Sequence, residues 1–153
     1  MKSKTQTKKR RWWIVPAALL ALLCIGVAAG YLVDLPARRE LMDLEIGNVD
    51  FQNLRDGTYT GVYEGTAGHM RDASVEVTVA DGEVSAIRVL QGAVDEAGVP
   101  VELSDGLTVG TLFDRVLADR SLQVDVISSA TLTSKAHLKA LENALSQAQA
   151  NQP

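Results

Sequence analysis

Residues Ala73–Leu90 read ASVEVTVADGEVSAIRVL, and the fold turns on this stretch. Ala73, Val75, Val77 and Val79 alternate with polar residues, Asp81-Gly82 interrupts, and Val84, Ile87 and Val89 resume the apolar pattern. A period of two places one row of side chains on one face of a strand. Asp-Gly between two such runs supplies the positive φ angles of a tight hairpin. Upstream, TYTGVYEG (Thr58–Gly65) is rich in Thr, Tyr and Val and reads as a further strand. Three antiparallel strands with one apolar face require a cover.

Downstream segments supply it. In DGLTVGTLFDRVLADR, residues Leu107, Leu112, Phe113, Val116 and Leu117 recur at helical spacing, and Leu138, Leu141, Leu145 and Ala148 do the same near the C-terminus. Between these helices Leu122–Ile127 reads as one more strand. The expected fold is α+β: a small antiparallel sheet of about four strands covered by two helices. Gln91–Gly106 carries Gly, Pro and acidic residues without periodicity and reads as a long loop. Residues 147–153 read as a disordered tail.

Ahead of this domain, residues 1–11 hold six of the fifteen basic residues and no acidic ones. The remaining chain then has nine basic residues against nineteen acidic ones, a net charge of −10. Such a body is a poor match for nucleic acid, whose phosphates require a cationic surface. WWIVPAALLALLCIGVAAGYLV follows, with twenty uncharged residues from Ile14 to Val33. As a helix that run spans about 30 Å, the thickness of a bilayer's hydrocarbon core. Trp12, Trp13 and Tyr31 stand at its boundaries, as aromatic residues do at membrane interfaces. The reading is one transmembrane helix (12–33), with the N-terminus cytoplasmic by the positive-inside rule and the C-terminal domain extracytoplasmic in a single-pass cell-membrane protein. A cleaved signal peptide ending at Val27-Ala28-Ala29 is the alternative, but the apolar run continues past that site. Cys24 is the only cysteine, so no disulfide forms within the chain. Asp34–Asn48 reads as a short stalk helix stopping at Gly47-Asn48, within a stalk of 34–54, which leaves 55–146 as the domain.

The chemistry-bearing residues are few. Two histidines, His69 and His137, and one thiol make no metal-binding spacing. His137 reads as a packing or surface residue of the last helix, and His69 sits in a glycine-flanked loop where it is a candidate ligand contact. No dinucleotide fingerprint is present. The unusual feature is DVISSATLTSKAHLKAL (Asp125–Leu141), where Ser128, Ser129, Thr131, Thr133 and Ser134 crowd the start of a helix. Helix N-caps favour Ser and Thr, which accounts for Thr133 or Ser134. It does not account for the others. The unpaired N–H groups and dipole of a helix start also form an anion site suited to phosphate. Small Ser129 and Ala130 would admit such a phosphate, with Thr131 either donating to it or joined to it.

At these residues the chain resembles the FMN-binding domain family, found in flavin-bearing subunits of Rnf-type and sodium-pumping NADH:quinone reductases. The family pattern of Asp, two variable residues, Ser or Thr, Gly, Ala, Thr is matched by Asp125-Val126-Ile127-Ser128-Ser129-Ala130-Thr131, followed by Leu132-Thr133-Ser134. DGTYTG (Asp56–Gly61) and Val75–Leu90 resemble the family's opening strand and hairpin. The resemblance implies FMN joined through a phosphoester to Thr131, with Asp125, Ser128, Ser129, Ala130, Leu132, Thr133 and Ser134 around it. It also implies a separate flavin transferase that uses FAD and Mg²⁺, recognises Asp125, Ser128 and Ala130, and installs the group. Membrane or extracytoplasmic redox partners would exchange electrons with an FMN carrier, as opposed to a complete enzyme. Noncovalent FMN binding, or a flavin-free assembly subunit, is the competing expectation. Ser129 departs from the family glycine, and Gln91–Gly106 lacks the family's Glu-Thr-Pro-Gly pattern.

Overall fold

The computed structural model describes residues 13–149. The expected basic tip (1–11), Trp12 and residues 150–153 lie outside the described residues. The chain divides into two compact units between Pro36 and Ala37. Helix α1, Ile14–Asp43, begins in the first unit, where its apolar side chains are exposed. Among the described residues it is one helix long and apolar enough to cross a membrane.

No break separates the apolar run from the expected stalk helix. α1 runs on through Pro36 and stops at Asp43, four residues before Gly47. Its stop is set by tertiary contacts: Lys135 Nζ donates to the carbonyls of Met42 and Leu44, the latter at 3.0 Å. Nor is 37–54 an exposed stalk. Leu41, Val49, Phe51 and Leu54 are buried in the core of the second unit. Glu40 accepts N–H bonds from Thr66 and Ala67 and O–H bonds from Thr66 and Tyr63, which ties α1's last turns to the loop after the first strand. Those backbone N–H groups hold the Glu40 carboxyl below its usual range, and burial beside Glu40 pushes the Tyr63 phenol up to about 12.

The second unit is α+β, as expected. Strands β1 (Gly57–Tyr63), β2 (Ala73–Ala80) and β3 (Glu83–Gln91) form an antiparallel sheet in that order. Val77 stands between Tyr59 and Ile87, and Val75 between Gly61 and Val89. Asp81 (φ 56°) and Gly82 (φ 77°) both take positive φ, the type I′ geometry that matches strand twist. Ala73, Val75, Val77 and Val79 are all buried. A small hairpin, β4 (Glu102–Ser104) with β5 (Leu107–Thr108), begins inside the expected 91–106 loop and ends just beyond it. Helix α2, Val109–Asp119, follows it, so Leu107 belongs to a strand and not to the helix. A reciprocal capping box of Thr108 and Thr111 opens α2.

The expected fourth strand, Leu122–Ile127, does not form. Its backbone is held by side chains: Arg115 Nη1 donates to the Asp125 carbonyl at 2.9 Å, and the Ile127 N–H donates to Ser134 Oγ at 3.2 Å. Leu122 and Ile127 still bury their side chains, so apolar alternation here reports burial without a strand partner.

Helix α3, Thr131–Gln149, covers β1 and β2. It remains helical through Gln149, beyond the expected fraying point at Gln147. Gln147 and Gln149 donate to the carbonyls of Thr60 and Asp50 at 2.8 and 2.7 Å. Ala136, Ala140, Ala144 and Ala148 form a fully buried stripe that brings the helix backbone onto the sheet. The contact point is Gly61, where an added Cβ would lie 1.9 Å from the Ala140 carbonyl oxygen and 2.4 Å from the Ala144 nitrogen. Asn143 and Gln147 then donate to the outward carbonyls of Val62 and Thr60, which satisfies the edge of β1.

Gly61→Ala is therefore expected to cost about 3 kcal/mol or more in urea unfolding followed by circular dichroism, because neither backbone can yield. Gly98→Ala, whose Cβ meets open space at φ +79°, should cost only the left-handed penalty of about 1 kcal/mol. Equal losses in the two variants would refute the close-contact account.

Candidate functional site

The hydroxyl-rich turn lies at the N-terminus of α3. The Ala130 N–H closes a turn onto the Ile127 carbonyl at 3.0 Å, and the Ala130 carbonyl accepts the first helical bond, from the Ser134 N–H, at 2.9 Å. Ala130, with no side-chain oxygen, therefore occupies the N-cap position. The expected caps do other work. Ser134 is completely buried and its Oγ accepts the incoming Ile127 N–H, while the Thr133 carbonyl accepts a bond from His137. The N–H groups of Thr131, Leu132 and Thr133 meet no acceptor among the described residues. Three aligned donors and a helix dipole are thus left open beside the exposed Thr131.

Ser129 has φ 65°, the left-handed conformation that favours glycine. The departure from the family glycine therefore carries backbone strain. Ser128 and Ser129 are exposed, Ala130, Leu132 and Thr133 are half-buried, and Asp125 is exposed while its carbonyl is held by Arg115. His69 lies in the loop between β1 and β2. Its Nδ1 pairs with Asp72 Oδ2 at 3.0 Å, and none of its hydrogen bonds reaches the 125–134 segment.

A cleft of about 410 Å³ adjoins the turn, lined by Ser104, Asp105, Leu107, Arg115, Asp125 and Ser128 among others. A comparable cleft at Asn48–Gln52 and Arg120 lies by the opposite end of α3, where Gln149 bonds Asp50. Arg115's place in the cleft wall was not legible in the sequence, because its link to Asp125 joins two elements and leaves no local motif.

The sequence model of the FMN-binding domain matches residues 68–146. The chain belongs to the FMN-binding domain family. The match takes in β2, β3, the adjoining cleft and the whole 125–134 segment, and it supports FMN as the cofactor. Over 92 residues the chain is 37% identical to an uncharacterized protein of Treponema pallidum (strain Nichols), an alignment that takes in 58% of this chain and 23% of that protein. The chain thus spans about a quarter of that relative's length. No solved structure matches the chain. The open donors, the exposed hydroxyl of Thr131 and the neighbouring cleft fit the phosphate and ring of this cofactor.

Behind the turn, His137 braces the helix. It is buried at 1% exposure, and its Nδ1 lies 2.8 Å from the Thr133 carbonyl. Because a carbonyl only accepts, Nδ1 carries the proton, and Nε2 is left without a partner among the described residues. Gly92, with φ +80°, makes room for the ring, since a Cβ there would come within 3.1 Å of His137 Cε1. Burial lowers the His137 pKa from its ordinary 6.5 and outweighs the opposing bond to the Thr133 carbonyl.

Two consequences are measurable. Ser129→Gly removes a left-handed penalty of about 1–2 kcal/mol and adds roughly 0.5–1 kcal/mol of chain entropy to lose, so a net gain near 0.5 kcal/mol is expected in urea unfolding. A net loss would contradict the φ assignment. For His137, the unfolded chain takes a proton below pH 6.5 while the folded one does not, so stability is full above that value and falls as pH drops. Between pH 7.5 and 5.5 the wild type should lose up to about 1.4 kcal/mol, the cost per unit of pKa difference. His137→Leu should flatten that interval, and an unchanged slope would exclude His137 as its source.

Proposed function

We propose that the chain is a single-pass, membrane-anchored extracytoplasmic flavoprotein that carries FMN covalently on Thr131 and passes electrons between redox partners. The observation that carries this reading is an exposed Thr131 at the first position of α3, beside three backbone N–H groups without acceptors. In maturation the Thr131 hydroxyl oxygen bonds the riboflavin-side phosphorus of FAD. The P–O–P linkage breaks, AMP leaves, and the hydroxyl proton passes to the transferase's base or solvent. The N–H groups of Thr131, Leu132 and Thr133 then face an anionic phosphodiester, which the helix dipole favours.

Bound FMN supplies one- and two-electron chemistry, and the protein supplies position and electrostatics. A covalent link suits a site outside the cytoplasm, where lost cofactor would not be replaced. A long apolar helix supports the anchor, and the basic tip of residues 1–11 supports a cytoplasmic N-terminus. With no dinucleotide fingerprint in the sequence, the chain reads as a carrier served by a flavin transferase and by membrane or extracytoplasmic redox partners.

The test is in-gel flavin fluorescence of the full chain made in cells that also produce the transferase. The wild type should show a fluorescent band after denaturation, and Thr131→Ala should show none. A band that persists in the variant refutes the attachment site. An unmodified wild-type mass despite active transferase supports noncovalent binding or a flavin-free subunit, for which the strained Ser129 is the motivating feature.

A further inference from the structure

The cleft beside Ser128 has one cationic side chain in its wall, Arg115, and two carboxylates, Asp105 and Asp125. Leu107, Val126 and Ile127 supply its apolar surface. That mixture suits a flat conjugated ring with one polar edge. The guanidinium is not a free surface charge, because Nη1 donates to the Asp125 carbonyl at 2.9 Å and Arg115 itself is half-buried on α2. Asp105 is held at the β4–β5 turn with φ 50°, where its Oδ2 accepts from Ser104 Oγ at 3.2 Å. Arg115 and Asp105 thus have fixed places in a cleft whose wall reaches Ser128, three residues before Thr131.

We infer that Arg115 is a positioning residue that sets the reduction potential of the flavin, with the isoalloxazine ring lying in this cleft and its N1–C2 carbonyl edge toward the guanidinium. The inference rests on attachment at Thr131. Uptake of two electrons and one proton by a flavin leaves a negative charge on that edge. A cation beside it stabilises the reduced form and raises the potential, whereas a carboxylate in the same cleft lowers it. Arg115 and Asp105 therefore oppose one another. Because the cleft is open to water, the effect is screened and added salt should shrink it.

The experiment uses the full chain flavinylated in cells, titrated with dithionite against redox dyes to give the midpoint potential. Arg115→Gln should shift the potential to more negative values, Arg115→Lys should restore most of the difference, and Asp105→Asn should shift it to more positive values. A potential unchanged in both Arg115→Gln and Asp105→Asn, or shifts of the opposite sign, overturn the inference. Should Arg115→Gln fail to acquire flavin, Asp105→Asn decides alone: a positive shift supports the inference and no shift overturns it. The denaturing-gel band is read first. Its absence from the wild type refutes the attachment itself, and this inference falls with it, whereas a normal band with unmoved potentials refutes this inference only.

Discussion

The backbone-to-backbone approach at Gly61 is the contact from which the rest of the molecule takes its geometry. With the Ala140 oxygen and Ala144 nitrogen in the space a Cβ would fill, α3 can lie on β1 in one register only. The alanine stripe makes the approach possible, and Asn143 and Gln147 fix it by completing the strand edge. A helix docked so closely is a rigid rod. Its N-terminus, with Ala130 and Thr131, is positioned by contacts nine or more residues further along the same helix.

That rigidity explains how the N-terminus can remain uncapped. A polar N-cap in place of alanine contributes about 1 kcal/mol, and three serines and two threonines stand close enough in sequence to supply one. None does. Ser134 faces inward to Ile127, Thr133 takes its place above His137, and Thr131 stays exposed. The stability forgone at the cap, together with the left-handed Ser129, is offset by the buried face of α3 and leaves three donors available to an anion. Local rules are broken here in the manner expected of a functional site.

The β2–β3 hairpin was legible because its information is local: a period of two and an Asp-Gly turn are both contained in eighteen residues. The start of α3 was legible for a related reason, since a hydroxyl run before a helix marks a helix start whatever the fold. Leu122–Ile127 misled because alternating apolar residues satisfy burial as well as pairing, and only the structure shows Arg115 and Ser134 taking the place of a neighbouring strand. The capping assignment misled because a serine's direction depends on what arrives from outside the helix. Arg115 left no trace, as its partner lies on another element and its charge is unremarkable within α2.

The division of the chain at Pro36 has a structural logic that composition conceals. Read by charge, the apolar run ends at Val33 and a polar spacer follows; read by packing, the second unit begins at Ala37, inside the same helix. Leu41 contributes to the core, Glu40 gathers four donors from the β1–β2 region, and Lys135 and Lys139 of α3 hold the carbonyls of Met42, Leu44 and Glu45. The residues that a spacer reading would discard are therefore structural members of the domain. Lys135 lies four residues after Thr131 on α3, so one turn of helix joins the proposed cofactor position to the end of α1. The end of α1 and the exposed Thr131 are braced against the same turn of the same helix.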